Sequence, residues 1–333
     1  MRSVVLGIIA LILPILLSAQ TDSALYKALQ HLPNDTVLHF KTYDGSGQLM
    51  HPDIIALNDS EKISFFFTGT PYPDFKDTFE NPCIYKSLDG LNFSEPDSGI
   101  NPLVTTPLYD HNDDPDIHYD SITKQFIIYY LETMRPDSQN VVQLSGKPGG
   151  IWEKKTILHY NLKNEKKFIL SPSFVDVNNK EHLLFYVVKP VDSTQKYHIE
   201  YILSSGDNGF RKNKYKIPAL DIPESFHPWH LDVQKHNGKY YMLFSGFNGN
   251  EPVWGDENFN KYTLLLATSK DLKKWAVSPV NMVDCYGVND DDCRYVCRST
   301  SLISGNIMVI WYSYVTKENV WKIGLKKVTL MNP

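Results

Sequence analysis

The segment "DPDIHYDSITKQFIIYYLE" (residues 114–132) joins a polar opening to a turn and an apolar strand, and its pattern recurs along the chain. Each related segment also carries a hairpin-type turn such as "HNGK" or "SGN". The related segments are "HPDIIALNDSEKISFFFTG" from His51, "SPSFVDVNNKEHLLFYVV" from Ser171, "HLDVQKHNGKYYMLFSG" from His230 and "RSTSLISGNIMVIWYSY" from Arg298. A repeat with a period near sixty residues indicates one β unit used five times.

A second series of segments alternates with the first. Its members are "SLDGLNF" from Ser87, "SGKPGGIW" from Ser145, "SGDNGF" from Ser205 and "SKDLKKW" from Ser269. Each is a polar turn closed by an aromatic residue, as expected at the corner of a four-stranded unit. Five such units predict an all-β fold, a five-bladed β-propeller. A β-sandwich is the alternative, but it does not explain two interleaved series with one period.

The blades should start near residues 51, 114, 171, 230 and 298. Residues 36–45 ("TVLHFKTYDG") precede the first unit, so we expect them to add a strand to the last blade and close the ring. Residues 22–32 are compatible with one short helix. The propeller would then form a single domain over residues 21–333.

Residues 1–20 have the layout of a secretory signal: Arg2, an apolar run over residues 4–17, and small residues at Ser18 and Ala19. The sequence therefore predicts an exported protein, secreted or periplasmic, without membrane attachment after cleavage; an uncleaved anchor is the alternative. The formal net charge is −5 and basic runs are lacking, which argues against nucleic acid as a partner.

The four cysteines are Cys83, Cys285, Cys293 and Cys297. Export permits disulfides, and a close trio with one distant residue predicts one local and one long-range bridge. A zinc site is disfavoured because no C-x-x-C pair is present. No metal and no cofactor are predicted, and the acidic stretch at residues 111–120 lacks the glycine and glutamate of a calcium loop. A different cation in the channel is the alternative that the sequence leaves open.

The opening residues of the five segments are polar, although they start the innermost strand of each predicted blade. These strands surround one channel, so residues about sixty apart in sequence converge at one mouth. Residues two positions later lie on the same side of the strand. The first positions are His51, Asp114, Ser171, His230 and Arg298, and the third positions are Asp53, Asp116, Ser173, Asp232 and Thr300. The pattern predicts a polar pocket.

The motifs that carry the repeat also resemble a known group of proteins. "HPDI", "TPYP", "ENPCIYKSLDGLNF", "DPDI", "SPSF", "PWHLDV" and "RS" resemble the five-bladed propellers of the glycoside hydrolases, in particular family 43 arabinanases and xylosidases. The resemblance covers roughly residues 45–330. It implies an aspartate base in the first blade, an orienting aspartate in the second and a glutamate acid in the third.

This chain departs from that implied triad. Asp114, before Pro115, matches the orienting aspartate. The first-blade position holds His51, with Asp53 two residues later, and Leu170 stands where the glutamate is expected. The resemblance therefore implies the fold more strongly than the reaction.

Glycoside cleavage needs one protonated carboxyl and one carboxylate. We expect Asp114 as base or orienting group, and Asp232 or Glu80 as acid. Asp53 is a weaker candidate for the base. Asp232 follows the apolar Trp229, which would raise its pKa, and Glu80 lies where a loop can reach the mouth. For each carboxylate the alternative role is a hydrogen bond to the backbone of a neighbouring blade.

Further residues of the predicted pocket would bind the substrate. His51, His230 and Arg298, with Tyr72, could bind a carboxylate, sulfate or phosphate on a sugar. The alternative is that Arg298 only pairs with an aspartate across the channel. Tyr72, Trp229 and Trp254 could stack on sugar rings or pack between blades, and Asp116 and Ser171 complete the predicted set of binding residues.

These features predict an exported glycan-active protein whose partner is an oligo- or polysaccharide. A glycoside hydrolase is the simplest form of this prediction. A non-catalytic carbohydrate-binding propeller is the alternative that the missing glutamate favours. A phosphorylase or transferase, favoured by the histidines and the arginine, and a purely structural protein are the remaining classes.

Overall fold

The computed structural model describes residues 23–330 apart from 60–61, 98, 108–109, 179–180, 193–194, 206–209, 218–219, 221, 223–224, 250–261 and 284–292. The predicted signal segment, Trp254 and Cys285 lie outside the described residues. Within them, no helix is both long and apolar enough to cross a lipid bilayer.

Nineteen described strands form five sheets around a channel, which confirms the predicted five-bladed β-propeller. Blade 1 contains β2 (Leu49–Asp59), β3 (Lys62–Pro71) and β4 (Cys83–Ser87). Blade 2 contains β5 (His111–Asp120), β6 (Gln125–Met134), β7 (Ser138–Gly146) and β8 (Glu153–Asn161). Blade 3 contains β9 (Lys167–Asn178), β10 (Glu181–Pro190), β11 (His198–Ser205) and β12 (Phe210–Lys216). Blade 4 contains β13 (Phe226–His236), β14 (Lys239–Asn248), β15 (Thr263–Ser269) and β16 (Ala276–Val277).

Blade 5 joins the two ends of the described chain. It contains β17 (Cys293–Ser304), β18 (Ile307–Thr316), β19 (Trp321–Thr329) and β1 (Thr36–Leu38), and β1 pairs antiparallel with β19. A helix over residues 23–31 (α1) precedes β1, and a one-turn helix, α2 (Leu162–Glu165), connects blades 2 and 3. Pairing of the first strand with the last closes the ring by hydrogen bonds rather than by side-chain contacts alone.

The innermost strands β2, β5, β9, β13 and β17 contact one another in a ring, and each contains a β-bulge. In three of them the bulge has a left-handed residue before a proline: His51, Asp114 and Ser171, with φ of 54°, 52° and 49°. Proline has no N–H for the ladder, so the pairing is interrupted there. Left-handed backbone at residues other than glycine is strained and concentrates at functional sites. The bulges therefore mark the channel mouth.

The repeat is also visible in the turns of the second series. In blade 1 the Ser87 hydroxyl accepts from the N–H of Gly90 at 2.9 Å, and in blade 4 the Ser269 hydroxyl accepts from Leu272 at 2.9 Å. Asp89 and Asp271, two residues after each serine, accept from the following backbone in the same way. Side chains that bond their own backbone fix these corners.

Apolar side chains fill the space between the blades. Phe65, Phe67 and Trp311 pack between blades 1 and 5, beneath Leu29 of α1. Two further clusters join blade 4 to its neighbours. Packing of this kind gives each blade a buried face on both sides and fixes the radius of the channel.

The predicted long-range disulfide is wrong. Cys293 is disulfide-bonded, but Cys83 and Cys297 are free and buried. Cys83 lies in β4, where its Sγ contacts the carbonyl of Asn81 at 3.4 Å, and burial raises the pKa of its thiol. Cys83 therefore packs in the hydrophobic core as a small apolar side chain and does not form a disulfide.

Candidate functional site

Three of the five polar first positions, His51, Asp114 and His230, line a cavity of about 200 Å³ at one mouth of the channel, which we call the funnel cavity. Its polar side includes His51, Glu80, His111, Asp113, Asp114 and His230. Its apolar side includes Met50, Tyr72, Phe168, Leu170 and Trp229. Concave sites with one apolar wall and a few convergent polar groups are typical of small-molecule binding.

Asp114 forms the floor of the funnel cavity and is fully buried. Its Oδ1 lies 2.8 Å from Arg298 Nη1 and 3.2 Å from His230 Nδ1, and its Oδ2 accepts from the N–H of Ser171 at 2.8 Å. Burial alone would raise the pKa of Asp114, but the positive charges around it hold that pKa well below its usual value. Asp114 is therefore an ionised group tied to three blades.

The two imidazoles beside Asp114 differ in charge. Burial depresses the pKa of His51 well below its usual value, whereas Cys297 and Asp114 raise the pKa of His230 to about 10 against the effect of burial. Because His51 is neutral near pH 7, His230 and Arg298 are the cations that keep Asp114 ionised. His51 Nδ1 is 3.1 Å from the hydroxyl of Thr70.

Glu80 reaches the funnel cavity from the loop after β3, and only 3% of it is exposed. Its Oε1 is 3.6 Å from His51 Nδ1, and its Oε2 is 3.9 Å from His111 Nε2. Burial, the largest effect, raises the pKa of Glu80 well above its usual value although His111 acts to lower it. Burial also raises the pKa of Asp113, but less strongly, so Glu80 is the carboxyl of this pair that burial favours more in the protonated form.

His111 lies between several carboxylates. Its Nε2 is 3.3 Å from Asp113 Oδ2, and its Nδ1 is 2.5 Å from Asp110 Oδ1. Burial lowers the pKa of His111, but Asp113 and the other acids outweigh it and raise that pKa to about 12. His111 is therefore a fixed imidazolium, and both of its nitrogens are engaged.

The apolar wall carries one cation. Lys189 Nζ lies 4.8 Å from the ring centre of Trp229, and both residues line the funnel cavity. Trp229 is itself stacked on Tyr197 and only 7% exposed, so it combines packing between strands with a face toward the cavity. Tyr72 is similarly placed, and its hydroxyl donates to Asp77 at 3.1 Å.

The third positions of the inner strands line a different cavity of about 240 Å³, which we call the channel cavity. Asp53, Asp116, Asp232 and Thr300 lie there, with Asp176 and Lys235 at its edge. Burial first, then the neighbouring aspartates, raise the pKa of Asp53 well above its usual value and that of Asp232 to about 6. The two cavities share no lining residue.

Two of the channel-cavity carboxylates, Asp53 and Asp116, bind the backbone of the next blade. Asp53 Oδ2 accepts from Ile117 at 2.5 Å, and Asp116 Oδ2 accepts from Phe174 at 3.0 Å. In blade 3 the hydroxyl of Ser173 takes the same place, accepting from Val233 at 2.9 Å. Thr300 closes the ring by donating to Asp53 at 2.6 Å.

The structure thus separates the residues that the sequence placed in one pocket. The funnel cavity contains His51, Glu80, Asp114, His230, Tyr72 and Trp229, with Ser171 bonded to its floor. Asp53, Asp116 and Asp232 lie in the channel cavity instead. Arg298 pairs with Asp114 behind the floor and does not line the funnel cavity.

Several residues of the funnel cavity were not singled out from the sequence as site residues. His111 and Asp113 precede the first repeat position, Asp114, yet both belong to β5 and line the cavity. The density of acids and histidines in "HNDDPDIHYD" was the available signal. Asp77, Arg135 and Lys189 also line the cavity, and no sequence motif marks them.

Three groups of described residues bring possible metal ligands within 4.8 Å of one another. Two of these groups are in the funnel cavity: His51, Asp114 and His230 at the floor, and Asp77, Glu80 and His111 at the rim. The third consists of the three channel-cavity aspartates. The donor sets differ, since only the floor group supplies two imidazoles with a carboxylate.

Similar architectures occur among solved structures, whereas no protein-family profile and no curated protein matches the sequence. An N-acetylgalactosamine deacetylase from F. plautii, in complex with blood group B trisaccharide, superposes with a TM-score of 0.70 at 19% identity. The match covers 89% of this chain and 95% of that one.

Glycoside hydrolases superpose over a similar span. A thermostable family-43 glycoside hydrolase has a TM-score of 0.59 at 13% identity, covering 86% of this chain and 90% of that one. An exo-1,5-α-L-arabinanase from a bovine ruminal metagenomic library has a TM-score of 0.55 at 13% identity, with coverages of 86% and 94%. The chain therefore has the five-bladed fold of these glycoside hydrolases and of the deacetylase.

Proposed function

We propose that this protein is a hydrolase that acts on glycans in the funnel cavity. The observation that carries the proposal is the convergence of three carboxyl groups, Glu80, Asp113 and Asp114, in one cavity that apolar side chains also line. The fold of the similar solved structures, which include family 43 propellers, supports a sugar as the substrate.

Glu80 and Asp113 are the pair best placed for proton transfer. Both contact His111 Nε2, at 3.9 and 3.3 Å. Two oxygens that contact one nitrogen at these distances are at most about 7 Å apart, compatible with the carboxyl spacing of about 5–9.5 Å in glycosidases. Asp113 Oδ1 is buried and finds no hydrogen-bond partner within the described part of the chain, so it can accept from a water or a sugar hydroxyl.

Each member of the pair has a distinct role in this proposal. Glu80 gives a proton to the leaving group, because its oxygens contact two histidines of the cavity and burial raises its pKa more strongly than that of Asp113. Asp113 assists the attacking water. Asp114, held by Arg298 and Ser171, orients the floor rather than exchanging protons.

We expect the aromatic and cationic residues of the same cavity to bind the sugar. Trp229 presents an aromatic face, which suits the apolar face of a sugar ring, and Lys189 is the cation beside it. An anionic substituent would meet Lys189, since the guanidinium of Arg298 is bonded to Asp114 behind the floor. Export of the protein is part of the proposal and rests on the signal-like residues 1–20.

Removal of an N-acyl group from an amino sugar is a second candidate reaction. It is favoured by the superposition on the N-acetylgalactosamine deacetylase, whose TM-score of 0.70 exceeds those of the glycoside hydrolases described above. It is also favoured by Leu170, an apolar residue where the family 43 resemblance implies the glutamate acid. Both reactions need a proton donor and an activated water, so Glu80 is required in either case.

The test is a glycan panel with two readouts, new reducing ends and released acetate. Wild-type protein should yield one of the two products, and Glu80→Gln should lose most of that activity, by about 10²–10⁴-fold. Reducing ends identify a glycoside hydrolase and acetate identifies a deacetylase. Binding of glycans without either product would overturn the hydrolase and indicate a carbohydrate-binding propeller.

A further inference from the structure

The floor of the funnel cavity places three possible metal ligands from three blades around one point. His51 Nε2 is 3.6 Å from Asp114 Oδ1, and His230 Nδ1 is 3.2 Å from the same oxygen. All three ligand atoms lie within 4.8 Å of one another. Ligands bound tetrahedrally at about 2.1 Å are about 3.4 Å apart, so the observed spacing is close to that of a metal site.

We propose that His51, Asp114 and His230 bind one divalent transition-metal ion, such as Zn²⁺ or Mn²⁺. The inference deepens the proposed function, because it assigns an ion to the same cavity. Two imidazoles and one carboxylate suit first-row transition metals, whereas Ca²⁺ and Mg²⁺ prefer oxygen ligands throughout. All three side chains line the funnel cavity, so an ion can reach them from solvent.

Outer partners already orient each of the three ligands. His51 Nδ1 contacts the hydroxyl of Thr70 at 3.1 Å, which leaves Nε2 toward Asp114. Asp114 Oδ2 is held by the N–H of Ser171, and the side chain of Cys297 hydrogen-bonds to His230. Metal-bound histidines almost always have such a partner at the second nitrogen, because it fixes the ring and its tautomer.

The rim group is a poorer candidate for the same ion. His111 contacts Asp110 through Nδ1 at 2.5 Å and Asp113 through Nε2 at 3.3 Å, so neither nitrogen is available to a metal. At the floor, His230 would release the proton of its imidazolium when the metal binds, and Ser171 Oγ, 2.6 Å from its Nδ1, would rotate away or add a fourth ligand. Arg298, which donates to Asp114 Oδ1, opposes a cation and limits the affinity.

An ion at the floor would polarise an oxygen of the substrate, and the position facing the cavity would stay open for it. Glu80, which contacts His51 from the cavity side, would lie beside that position. In a metal-assisted hydrolysis Asp114 would bind the ion and would not exchange a proton. Glu80 would remain the group that carries the proton.

The experiment measures metal binding without any glycan. Protein stripped with a chelator is titrated with Co²⁺ and Zn²⁺ by visible absorption and calorimetry. One ion per chain is expected, and His51→Gln and His230→Gln should each weaken binding by at least about tenfold. His111→Gln, a histidine of the same cavity, is the matched control and should bind within about threefold of wild type.

Thermal melting without metal checks that each variant folds, and pulsed EPR of wild-type protein loaded with Cu²⁺ counts imidazole ligands independently of any variant. Two imidazoles are expected. Absence of stoichiometric binding, one or no imidazole, or loss of binding in His111→Gln would overturn the assignment. Metal binding by a protein inactive on all glycans would overturn only the proposed function, and turnover by a chain that binds no metal would overturn only this site.

Discussion

The funnel cavity and the channel cavity both lie along the inner strands. Asp114 of the funnel cavity accepts a backbone N–H of the next blade, as the channel-cavity acids Asp53 and Asp116 do, but the other two funnel-cavity acids of the proposed pair have different partners. In the channel cavity Asp53 and Asp116 accept backbone N–H groups of the next blade. In the funnel cavity Glu80 and Asp113 face imidazoles and open space. Convergence of acids around a channel therefore does not by itself identify a reactive site. The hydrogen-bond partner of each carboxyl group shows whether that group has a structural role or is available for a reaction.

A geometric reason underlies this difference. The bulge at each X-Pro step of the inner strands interrupts the ladder and turns the first position toward the mouth. Two residues later the strand is regular again, and an aspartate there lies beside the free N–H of the adjacent inner strand. A buried N–H needs an acceptor, so these aspartates have a structural task.

The largest expected difference between the two cavities is the effect of losing one carboxylate on the turnover rate. Asp113→Asn removes a funnel-cavity carboxylate and should lower kcat by about 10²–10⁴-fold on the glycan that the wild type cleaves. Asp232→Asn, the matched change in the channel cavity, should stay within about threefold of wild type, since its carboxylate lies away from the substrate. Initial rates of both variants, with melting curves as a folding check, provide the measurement.

The comparison would fail if Asp232→Asn lost as much activity as Asp113→Asn while remaining folded. The reacting carboxylate would then belong to the channel cavity, as the sequence alone had allowed. Equal retention of activity in both variants would instead remove Asp113 from the mechanism and leave Glu80 without its partner.

The next largest expected effect is a loss of folding stability when Arg298 is replaced. The guanidinium is 1% exposed and donates to Asp114 at 2.8 Å, between the two cavities. Arg298→Met would leave a buried carboxylate with less compensation and should reduce the free energy of unfolding by about 3–5 kcal/mol. Urea unfolding followed by tryptophan fluorescence measures this change.

The double variant Arg298→Met/Asp114→Asn tests the cause of that loss. It should recover part of the stability, because the uncompensated charge is gone. Lys235→Met, an exposed cation near the channel cavity, should change the free energy of unfolding by less than about 0.5 kcal/mol. If Arg298→Met reduced the free energy of unfolding by less than about 1 kcal/mol, the Arg298–Asp114 ion pair would not stabilise the floor of the funnel cavity.

The five-bladed fold was predictable because its signal is a period, which every blade repeats. The turn series was also readable, since serine and aspartate at fixed offsets bond the same backbone in blades 1 and 4. The convergence of Asp114 with His230 and Arg298 followed from the period alone.

The division into two cavities could not be read in the same way. The sequence does not show that the bulges at His51 and Asp114 point first positions to the mouth while Asp53 and Asp116 face the opposite side. It also does not show which acids bind backbone. His111 was missed because strand β5 begins earlier than the repeat suggested, and Cys83 was misread because spacing carries no information on packing.

The smallest expected effect concerns His118, beside Asp116 at the channel cavity. Its Nε2 lies 2.8 Å from Asp116 Oδ2, and Asp116 raises the pKa of His118 to about 9 although burial acts to lower it. A histidine whose folded pKa is above its unfolded value of about 6.5 stabilises fully below pH 6.5, and this contribution is lost as the pH rises through 9. His118→Gln should therefore cost about 1–3 kcal/mol at pH 6 and much less at pH 10. The free energy of unfolding, measured at both pH values with His182→Gln as the exposed control, tests this prediction. An equal loss at pH 6 and pH 10 would show that His118 stabilises the protein through packing and not through its charge.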